Sequence, residues 1–349
     1  MYNKILGVLL GAAVGDAMGA ATELRTPDEI IQTFGHWVTE FETPPADVFA
    51  GGRKAGQITD DFSSAYFIIQ AILSASGKIT PHVARAGILA WAKSEYFETF
   101  AGPTTRAAIH ELIEEGQLKE NSLLGRCGKA TNGAAMKAFA GGVFLPGNWN
   151  SAVDAAISIA EVTHPYHLCL SGAAAIAAAV SEAISEKATV GSIFDAGIYG
   201  AKRGAQIGIE RGMQIAGPSV WKRMELAREI VVRESDPTAG LFAISELIGT
   251  GIHVSESVPA VFGILCLSKG DVETGIQYAV NIGDDTDTIA TMVGAILGGF
   301  NGASGWGDKY IAQIEENNQI DLQGMTREIL GFQSEGAGYV HGIYREQRD

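Results

Sequence analysis

Cysteine is rare in this sequence, and long apolar runs are missing. The three cysteines among 349 residues, Cys127, Cys169 and Cys266, are far apart and lack the spacing of a metal site. A sparse, odd set is typical of reduced thiols, so we predict a cytoplasmic protein. No run reaches about 18 uninterrupted apolar residues, the usual length of a membrane-spanning helix, and a membrane partner is not expected.

Positive charge is also in short supply. Lysine and arginine number 25 against 40 aspartates and glutamates, which gives a formal net charge of −15. Nucleic acids and anionic membranes are bound by a concentrated cationic face, whereas the basic residues of this chain are scattered. The sequence therefore predicts that neither is a partner.

Sequence patterns typical of β-strands are also rare. Alternating β-branched runs are short, whereas helical periodicity recurs every ~15 to 25 residues. A hydrophobic content of 46% with 44 glycines is typical of a globular protein whose helices are rich in small residues. We predict an all-α fold in which residues 1–349 form one compact helical domain.

The periodicity predicts eleven helical segments and one long loop. The helical segments are 3–23, 27–35, 62–75, 81–93, 103–115, 151–162, 168–184, 192–232 with a break at Gly217-Pro218, 257–267, 271–280 and 289–300, and residues after 302 are helical or loop. Residues 39–57 form a long loop that is either a lid over a site or a surface excursion.

The first predicted helix carries two features of interest. Gly11, Gly15 and Gly19 recur every fourth residue, as on one tightly packed helix face. Asp16 and Glu23 are seven positions apart, about two turns, so their carboxylates should face the same way. A shared site is one interpretation. From this helix alone we favour the other, in which Asp16 caps a neighbouring segment and Glu23 is solvated.

Two acidic clusters lie at the starts of apolar helices near opposite ends of the chain. The first is Thr59-Asp60-Asp61, and the second is Asp284-Asp285-Thr286-Asp287-Thr288. Such residues can cap a helix, but simple caps rarely need adjacent aspartates. Their hard oxygen atoms suit Mg²⁺, Mn²⁺ or Ca²⁺, and a carboxylate can bridge two ions that activate a water. The clusters therefore favour a divalent metal site.

Two further segments are candidates for binding a substrate. The glycine-rich segment from Gly125 to Gly133 leads towards a helix, and backbone amides at such a junction bind phosphate, with Arg126 and Lys129 adding positive charge. The alternative is that these glycines only turn the chain. His164 and His167 are three apart, and a capping or core role is favoured over paired metal ligands.

These motifs occur in the order of a known family. Gly7 to Gly11 with Gly15 to Gly19, Thr59-Asp60-Asp61, Asn132 to Met136, Thr163-His164 and Gly283 to Ala290 resemble the ADP-ribosylglycohydrolase family over about residues 5–302. The resemblance implies an all-helical fold of that type and a dinuclear Mg²⁺ or Mn²⁺ centre. It also implies hydrolysis of a glycosidic bond at the anomeric carbon of a ribose, in an ADP-ribosylated protein or a smaller riboside.

The resemblance also implies a role for each motif. The implied metal ligands are Thr59, Asp60, Asp61, Asp285, Asp287 and Thr288, with Asp287 as a bridge. Glu23 matches an acid that lies near the scissile bond or gates the site. Gly125, Gly128, Lys129, Asn132 and Gly133 match the diphosphate loop, and His164 matches a position near the ribose. On this hypothesis Asp60 or Asp61 takes a proton from a water held by the metals.

Some residues depart from the family pattern. Phe62 replaces a small polar residue, Lys137 stands where arginine is common, and Lys129-Ala130-Thr131 replaces a segment richer in glycine and serine. A nucleoside or similar small riboside therefore remains an alternative substrate. A non-catalytic metal-binding or structural relative is a second alternative. The protein is expected to be a monomer or a small homo-oligomer.

Overall fold

The computed structural model describes residues 1–118 and 123–335, and it is about 66% helical. Within these ranges there is no β-strand, and a single antiparallel bridge joins Thr131 to His253. The predicted all-α fold is confirmed. Among the described helices, none combines the length and the apolar character needed to cross a membrane.

The helices are named in chain order. They are α1 (Tyr2–Gly19), α2 (Pro27–Phe34), α3 (Asp60–Ser74), α4 (Pro81–Trp91), α5 (Glu95–Phe100), α6 (Pro103–Glu114), α7 (Leu123–Arg126), α8 (Phe139–Gly142), α9 (Trp149–Ala160), α10 (His167–Ala183), α11 (Val190–Glu210), α12 (Val220–Arg233), α13 (Pro237–Leu247), α14 (Val254–Leu267), α15 (Val272–Asn281), α16 (Thr286–Asn301), α17 (Ile311–Asn318) and α18 (Leu322–Glu335). Two 3₁₀ turns lie at Asn132–Ala134 and Gly307–Lys309.

Glycines hold α1 and α16 together as a central, closely packed pair. A Cβ atom added to Gly7, Gly11 or Gly15 would lie 2.0–2.1 Å from a backbone carbonyl oxygen of α16. The contacts run from Gly7 against Gly298 to Gly19 against Asp287, so the two helices are antiparallel. The predicted glycine face therefore places the end of α1 against the start of α16.

The first helix is shorter than predicted. It ends at Gly19, and residues 20–24 form turns in place of the helical turn expected up to residue 23. The chain leaves the helix because Leu24 N–H donates to Asp284 O and Asp284 N–H donates to Arg25 O, both at 2.9 Å. Glu23 consequently lies in a turn that is tied to the segment before α16.

The helix predicted to start at Ser257 begins three residues earlier, at Val254, and Pro259 lies inside it. Proline has no N–H, so the carbonyl of Ser255, four residues before it, loses its usual helical partner. The Arg223 guanidinium donates to that carbonyl at 2.9 Å. A side chain from α12 thus replaces the missing hydrogen bond, and the proline does not stop the helix.

The long segment 39–57 is fixed to the helical body at both ends. Asn281 accepts a hydrogen bond from Val38 N–H at 3.0 Å and donates to Val38 O at 2.8 Å. At the other end, Asn318 donates to Gly56 O at 2.9 Å and accepts from Ile58 N–H at 3.0 Å. These contacts set the path of the chain immediately before Thr59.

Candidate metal centre and substrate segment

The two predicted acidic clusters meet in space. The turn after α1 and the start of α16 bring carboxylate oxygens of Glu23, Asp285 and Asp287 within 4.8 Å of one another. The Thr288 hydroxyl lies 3.1 Å and 3.3 Å from the carboxylate oxygens of Asp61, which joins the start of α16 to the start of α3. The cluster is buried apart from Asp60 and Glu23, which are partly exposed.

Neither cluster caps its own helix. Thr59 and Asp285 are the N-cap residues of α3 and α16, yet their side chains make no capping hydrogen bond. The Thr59 hydroxyl donates to Asp16 Oδ1 at 2.6 Å instead. The interpretation of the clusters as simple caps is therefore wrong, and their carboxylates need another function.

Asp16 provides the cap that α3 lacks. Its Oδ2 accepts from Thr59 N–H at 2.9 Å and from Phe62 N–H at 3.0 Å, and its side chain is fully buried. The favoured sequence interpretation was thus correct for Asp16, which caps a neighbouring segment. It was wrong for Glu23, which lies within the acidic cluster rather than in solvent.

We expect Asp16→Asn to damage the site although it keeps the side-chain shape. An amide nitrogen would face N–H donors, and hydrogen bonds to a charged acceptor are worth about 1.5–3 kcal/mol. The free energy of unfolding should fall by that amount in urea titrations. Divalent cation affinity should fall about 10–100-fold, because Asp16 orients Thr59.

Asp271→Asn is the matched control for this change. Asp271 caps α15 by accepting from Thr274 N–H at 2.8 Å, and asparagine caps a helix about as well as aspartate. We expect this variant to keep both stability and cation affinity. Unchanged cation affinity in Asp16→Asn would contradict the proposed support of Thr59.

Burial and mutual repulsion raise the pKa of the buried or half-buried carboxyl groups Glu23, Asp60, Asp61, Asp285 and Asp287. Burial, with the negative charges of Asp287, Asp285, Asp60 and Asp16 beside it, raises the pKa of Glu23 to about 10. Burial and the charge of Asp16 raise the pKa of Asp60 and of Asp287 to about 7. Without a cation, the native protein therefore binds protons here that the unfolded chain releases.

This excess of bound protons predicts how the metal-free protein responds to pH. Stability decreases with pH wherever the native state binds more protons than the unfolded state. For Asp60 and Asp287 that range runs from pH about 4 to pH about 7. With a chelator present, we expect the Tm to fall across this range, and saturating Mg²⁺ or Mn²⁺ should weaken or reverse the trend. A Tm in chelator that rises from pH 5 to pH 7 would contradict it.

The donor atoms fit a hard divalent cation. All are oxygens, and the hydroxyl hydrogens of Thr59 and Thr288 point to Asp16 and Asp61, which leaves hydroxyl lone pairs for a cation. Mg²⁺, Mn²⁺ and Ca²⁺ prefer such ligands. A divalent cation would also offset the repulsion between carboxylates that burial intensifies.

The predicted substrate segment touches the acidic cluster through Asn132. Its side-chain amide donates to Asp285 Oδ2 at 2.5 Å and to Ser257 Oγ at 3.1 Å. Its backbone N–H donates to Ile252 O at 2.9 Å, beside the Thr131 to His253 bridge. The 3₁₀ turn Asn132–Ala134 is therefore fastened to the start of α14, which holds it next to the acids.

His164 is a buried neutral histidine rather than a metal ligand. Its Nδ1 lies 2.8 Å from Thr163 Oγ1 and its Nε2 lies 3.0 Å from Thr131 Oγ1. Burial, helped by the charge of Lys137, holds its pKa well below the usual value. A Cβ atom on Gly133 would lie 2.9 Å from the imidazole, so glycine allows this approach. His167 lies elsewhere and accepts from Ile215 N–H at 3.2 Å.

The outer part of the predicted glycine loop differs from expectation. Gly125 lies in the short helix α7, and the segment leads into a 3₁₀ turn rather than an α-helix. Gly128 is exposed at φ 75°, where only glycine is relaxed, and it lines a cavity of about 390 Å³. Lys129 lines a larger cavity of about 840 Å³ together with Thr163. The loop thus separates two cavities.

Sequence reasoning gave no role to Lys137, whose side chain is fully buried and whose ammonium group donates to the carbonyl of Gly133. The available signal was a lysine inside the apolar run from Ala134 to Gly142. The hydroxyls of Thr131 and Thr163, which contact both ring nitrogens of His164, were also missed. Their role depends on contacts between distant segments, and helical periodicity does not report these.

Comparison with known proteins gives a consistent result. The family model described as ADP-ribosylglycohydrolase matches residues 1–337. An uncharacterized protein of Escherichia coli K12, YegU, is 30% identical over 92% of this chain and 94% of its own length. ADP-ribosylhydrolase ARH3 of Homo sapiens is 26% identical over 92% of this chain and 91% of its own length.

Two further similarities extend the comparison. ADP-ribosyl-(dinitrogen reductase) glycohydrolase of Rhodospirillum rubrum is 29% identical over 48% of this chain and 53% of its own length. A solved structure described as an ADP-ribosylglycohydrolase-related protein complex superposes with a TM-score of 0.67. That match covers 95% of this chain and 98% of the other at 21% identity, which shows a shared fold.

Proposed function

The chain belongs to the ADP-ribosylglycohydrolase family of glycoside-cleaving enzymes, and we propose that it is a divalent-cation-dependent hydrolase. Its proposed reaction cleaves the bond between the anomeric carbon of an ADP-ribosyl group and the protein or small molecule that carries it. The observation that carries this proposal is the meeting of Glu23, Asp285 and Asp287 beside Asp61 and Asn132.

The proposed cofactor is a pair of divalent cations, Mg²⁺ or Mn²⁺. The residues that would hold them are Thr59, Asp60, Asp61, Asp285, Asp287 and Thr288. When bound, the cations would supply a water acidified for attack and positive charge that orients hydroxyl groups. Asn132 donates to Asp285 and thereby fixes the direction of one carboxylate.

The chain's own residues supply the proton transfer and the placement of the sugar. We assign Asp60 or Asp61 as the base, because they start α3 and Asp61 contacts Thr288 at the start of α16, inside the cluster. Glu23 is assigned to the scissile bond, since its carboxylate lies within 4.8 Å of those of Asp285 and Asp287 in the acidic cluster. Neutral His164, which packs against Gly133, is assigned to the part of the site that holds the ribose.

The rest of the ligand is assigned to the segment from Gly125 to Gly133. Gly128 and Lys129 line cavities on its two sides, and the larger one, about 840 Å³, has room for a ligand well beyond a single ribose. Membership of the family favours an ADP-ribosyl group over a nucleoside, although Lys129-Ala130-Thr131 departs from the family pattern. A protein substrate or a small ADP-ribosylated molecule satisfies the same contacts.

A substrate panel tests the proposal directly. Purified protein with Mg²⁺ or Mn²⁺ is incubated with ADP-ribosylated arginine, ADP-ribosylated serine and a set of nucleosides, and products are separated by chromatography. Release of ADP-ribose supports the proposal. Release of ribose with a free base supports the nucleoside alternative. Cation binding without any turnover supports a non-catalytic relative.

A further inference from the structure

Both ring nitrogens of His164 are occupied by threonine hydroxyls. Nδ1 lies 2.8 Å from Thr163 Oγ1, and Nε2 lies 3.0 Å from Thr131 Oγ1. None of the histidine is exposed, and a Cβ atom on Gly133 would lie 3.0 Å from Nε2, so the ring is enclosed on that side as well. His164 therefore has neither a free nitrogen nor an exposed surface to offer a ligand directly.

The hydrogen bond of Thr163 determines which ring nitrogen carries the hydrogen. A neutral imidazole has one N–H donor and one acceptor nitrogen, so one threonine donates to it and the other accepts. Thr163 is 3% exposed, and within residues 1–118 and 123–335 its hydroxyl bonds only to Nδ1. Because a buried hydroxyl hydrogen needs an acceptor, Thr163 donates to Nδ1. Nε2 then carries the ring hydrogen and donates to Thr131 Oγ1.

The hydroxyl of Thr131 keeps a hydrogen that it can donate to a ligand. Thr131 is partly exposed, and in the part of the chain that the structure describes its hydroxyl bonds to His164 alone. It is the N-cap residue of the 3₁₀ turn Asn132–Ala134, yet its side chain makes no capping hydrogen bond. Since its oxygen accepts from Nε2, its O–H points away from the imidazole.

The position of Thr131 in the site is fixed by its neighbours. Asn132 N–H donates to Ile252 O at 2.9 Å and Val254 N–H donates to Ala130 O at 3.0 Å, which holds the backbone on both sides of Thr131. The Asn132 side chain reaches the acidic cluster. Thr131 thus lies one residue from the cluster, in the segment assigned to the part of the ligand beyond the ribose.

We propose that Thr131, rather than His164, contacts the ligand, and that its hydroxyl donates to a phosphate oxygen of the ADP-ribosyl group. His164 and Thr163 are positioning residues that direct this hydrogen. A fixed hydroxyl donor favours a ligand atom that only accepts, and a charged phosphate oxygen accepts more strongly than a neutral group. The inference rests on the proposed function in taking a diphosphate as part of the ligand. It makes Thr131 a residue that distinguishes ADP-ribosyl groups from nucleosides.

Calorimetric titration with ADP-ribose and with adenosine, both in Mg²⁺, tests this role. Thr131→Val keeps the shape of the side chain and removes the hydroxyl. We expect it to bind ADP-ribose about tenfold or more weakly, because a hydrogen bond to a charged group is lost, and to treat adenosine as the unchanged protein does. Thr131→Ser should keep the affinity for ADP-ribose.

Several results of the titrations would overturn the proposal. They are an unchanged ADP-ribose affinity in Thr131→Val, an equal loss for adenosine, an equal loss in Thr131→Ser, and no ADP-ribose binding by the unchanged protein. Thr189→Val is the matched control, since Thr189 caps α11 by accepting from Ser192 N–H at 3.0 Å. It should lower the Tm and leave ADP-ribose affinity unchanged.

Nitrogen-15 NMR of protein labelled at histidine reports the position of the ring hydrogen. We expect Nε2 of His164 to carry it and Nδ1 to be bare, and the signal is assigned by its shift in Thr131→Val. A hydrogen on Nδ1 would overturn the proposal. Neither measurement uses turnover. Binding of ADP-ribose through Thr131 without product release in the substrate panel would therefore refute the proposed hydrolysis and support this inference.

Discussion

Asp287→Asn should reduce hydrolysis by at least about 100-fold, because residues that merely support metal ligands already contribute about 10–100-fold in such sites. Carboxylate oxygens of Asp287, Glu23 and Asp285 lie within 4.8 Å of one another, and Asp287 is one of the residues that would hold the cations. The amide keeps an oxygen for the hydrogen bond that Thr288 N–H donates to Oδ1 at 2.9 Å. The fold should therefore survive while the ligand charge is lost.

Two measurements separate this effect from unfolding. Mn²⁺ affinity should fall with activity, whereas the Tm in chelator should rise, because one member of a repulsive group becomes neutral. Asp60→Asn is expected to behave in the same way. Asp284→Asn is the control, since Asp284 is exposed beside the cluster at φ 66°, a conformation that asparagine tolerates. Full activity in Asp60→Asn or Asp287→Asn would refute the proposed centre.

Gly11→Ala should destabilise the fold by about 3 kcal/mol or more, at the upper end of overpacking effects. Its Cβ would lie 2.1 Å from the carbonyl oxygen of Gly294, and both atoms belong to the cores of rigid helices. Relief requires α1 and α16 to separate along their length. The usual gain from alanine in a helix, about 0.5–1 kcal/mol, is too small to offset this. Urea denaturation measures the loss.

Gly191→Ala is the matched change at an uncrowded helical glycine. Its Cβ would meet only Thr189 Oγ1 at 3.7 Å, an ordinary contact near the start of α11. We expect no loss, or a gain of up to about 1 kcal/mol. Because Gly19 packs on Asp287, Gly11→Ala should also weaken Mn²⁺ binding in the fraction that remains folded. Equal stability of the two variants would contradict the close packing of α1 on α16.

The sequence predicted the features that local chemistry determines. A glycine at every fourth position indicated a close helix contact, and neighbouring aspartates at helix starts indicated a cation site. Both follow from the period of the helix and the properties of carboxylates. Neither pattern identified the segment on the other side of the contact. That α1 packs on α16 is set by the match between two glycine faces that are far apart in sequence.

Other residues could not be assigned from sequence because their environment is tertiary. Glu23 enters the cluster because Leu24 pairs with Asp284, which ends the helical path predicted to residue 23. Asp16 caps α3 although 43 positions separate it from Thr59. Pro259 is accepted within α14 because Arg223 reaches the carbonyl of Ser255. In each case a partner from another segment overrides the local preference.

The joining of α1 to α16 also bears on how the protein is made. Thr286 donates to the carbonyl of Gly19 from 267 positions further along the chain, and Thr288 reaches Asp61 across 227 positions. During synthesis, the glycine face of α1 therefore cannot pack on α16 until the start of α16 has been translated. Contacts of such long sequence separation form late and slowly. We expect cation binding to be among the last events in folding. Until α16 has been made, the glycine face of α1 has to pack against other groups.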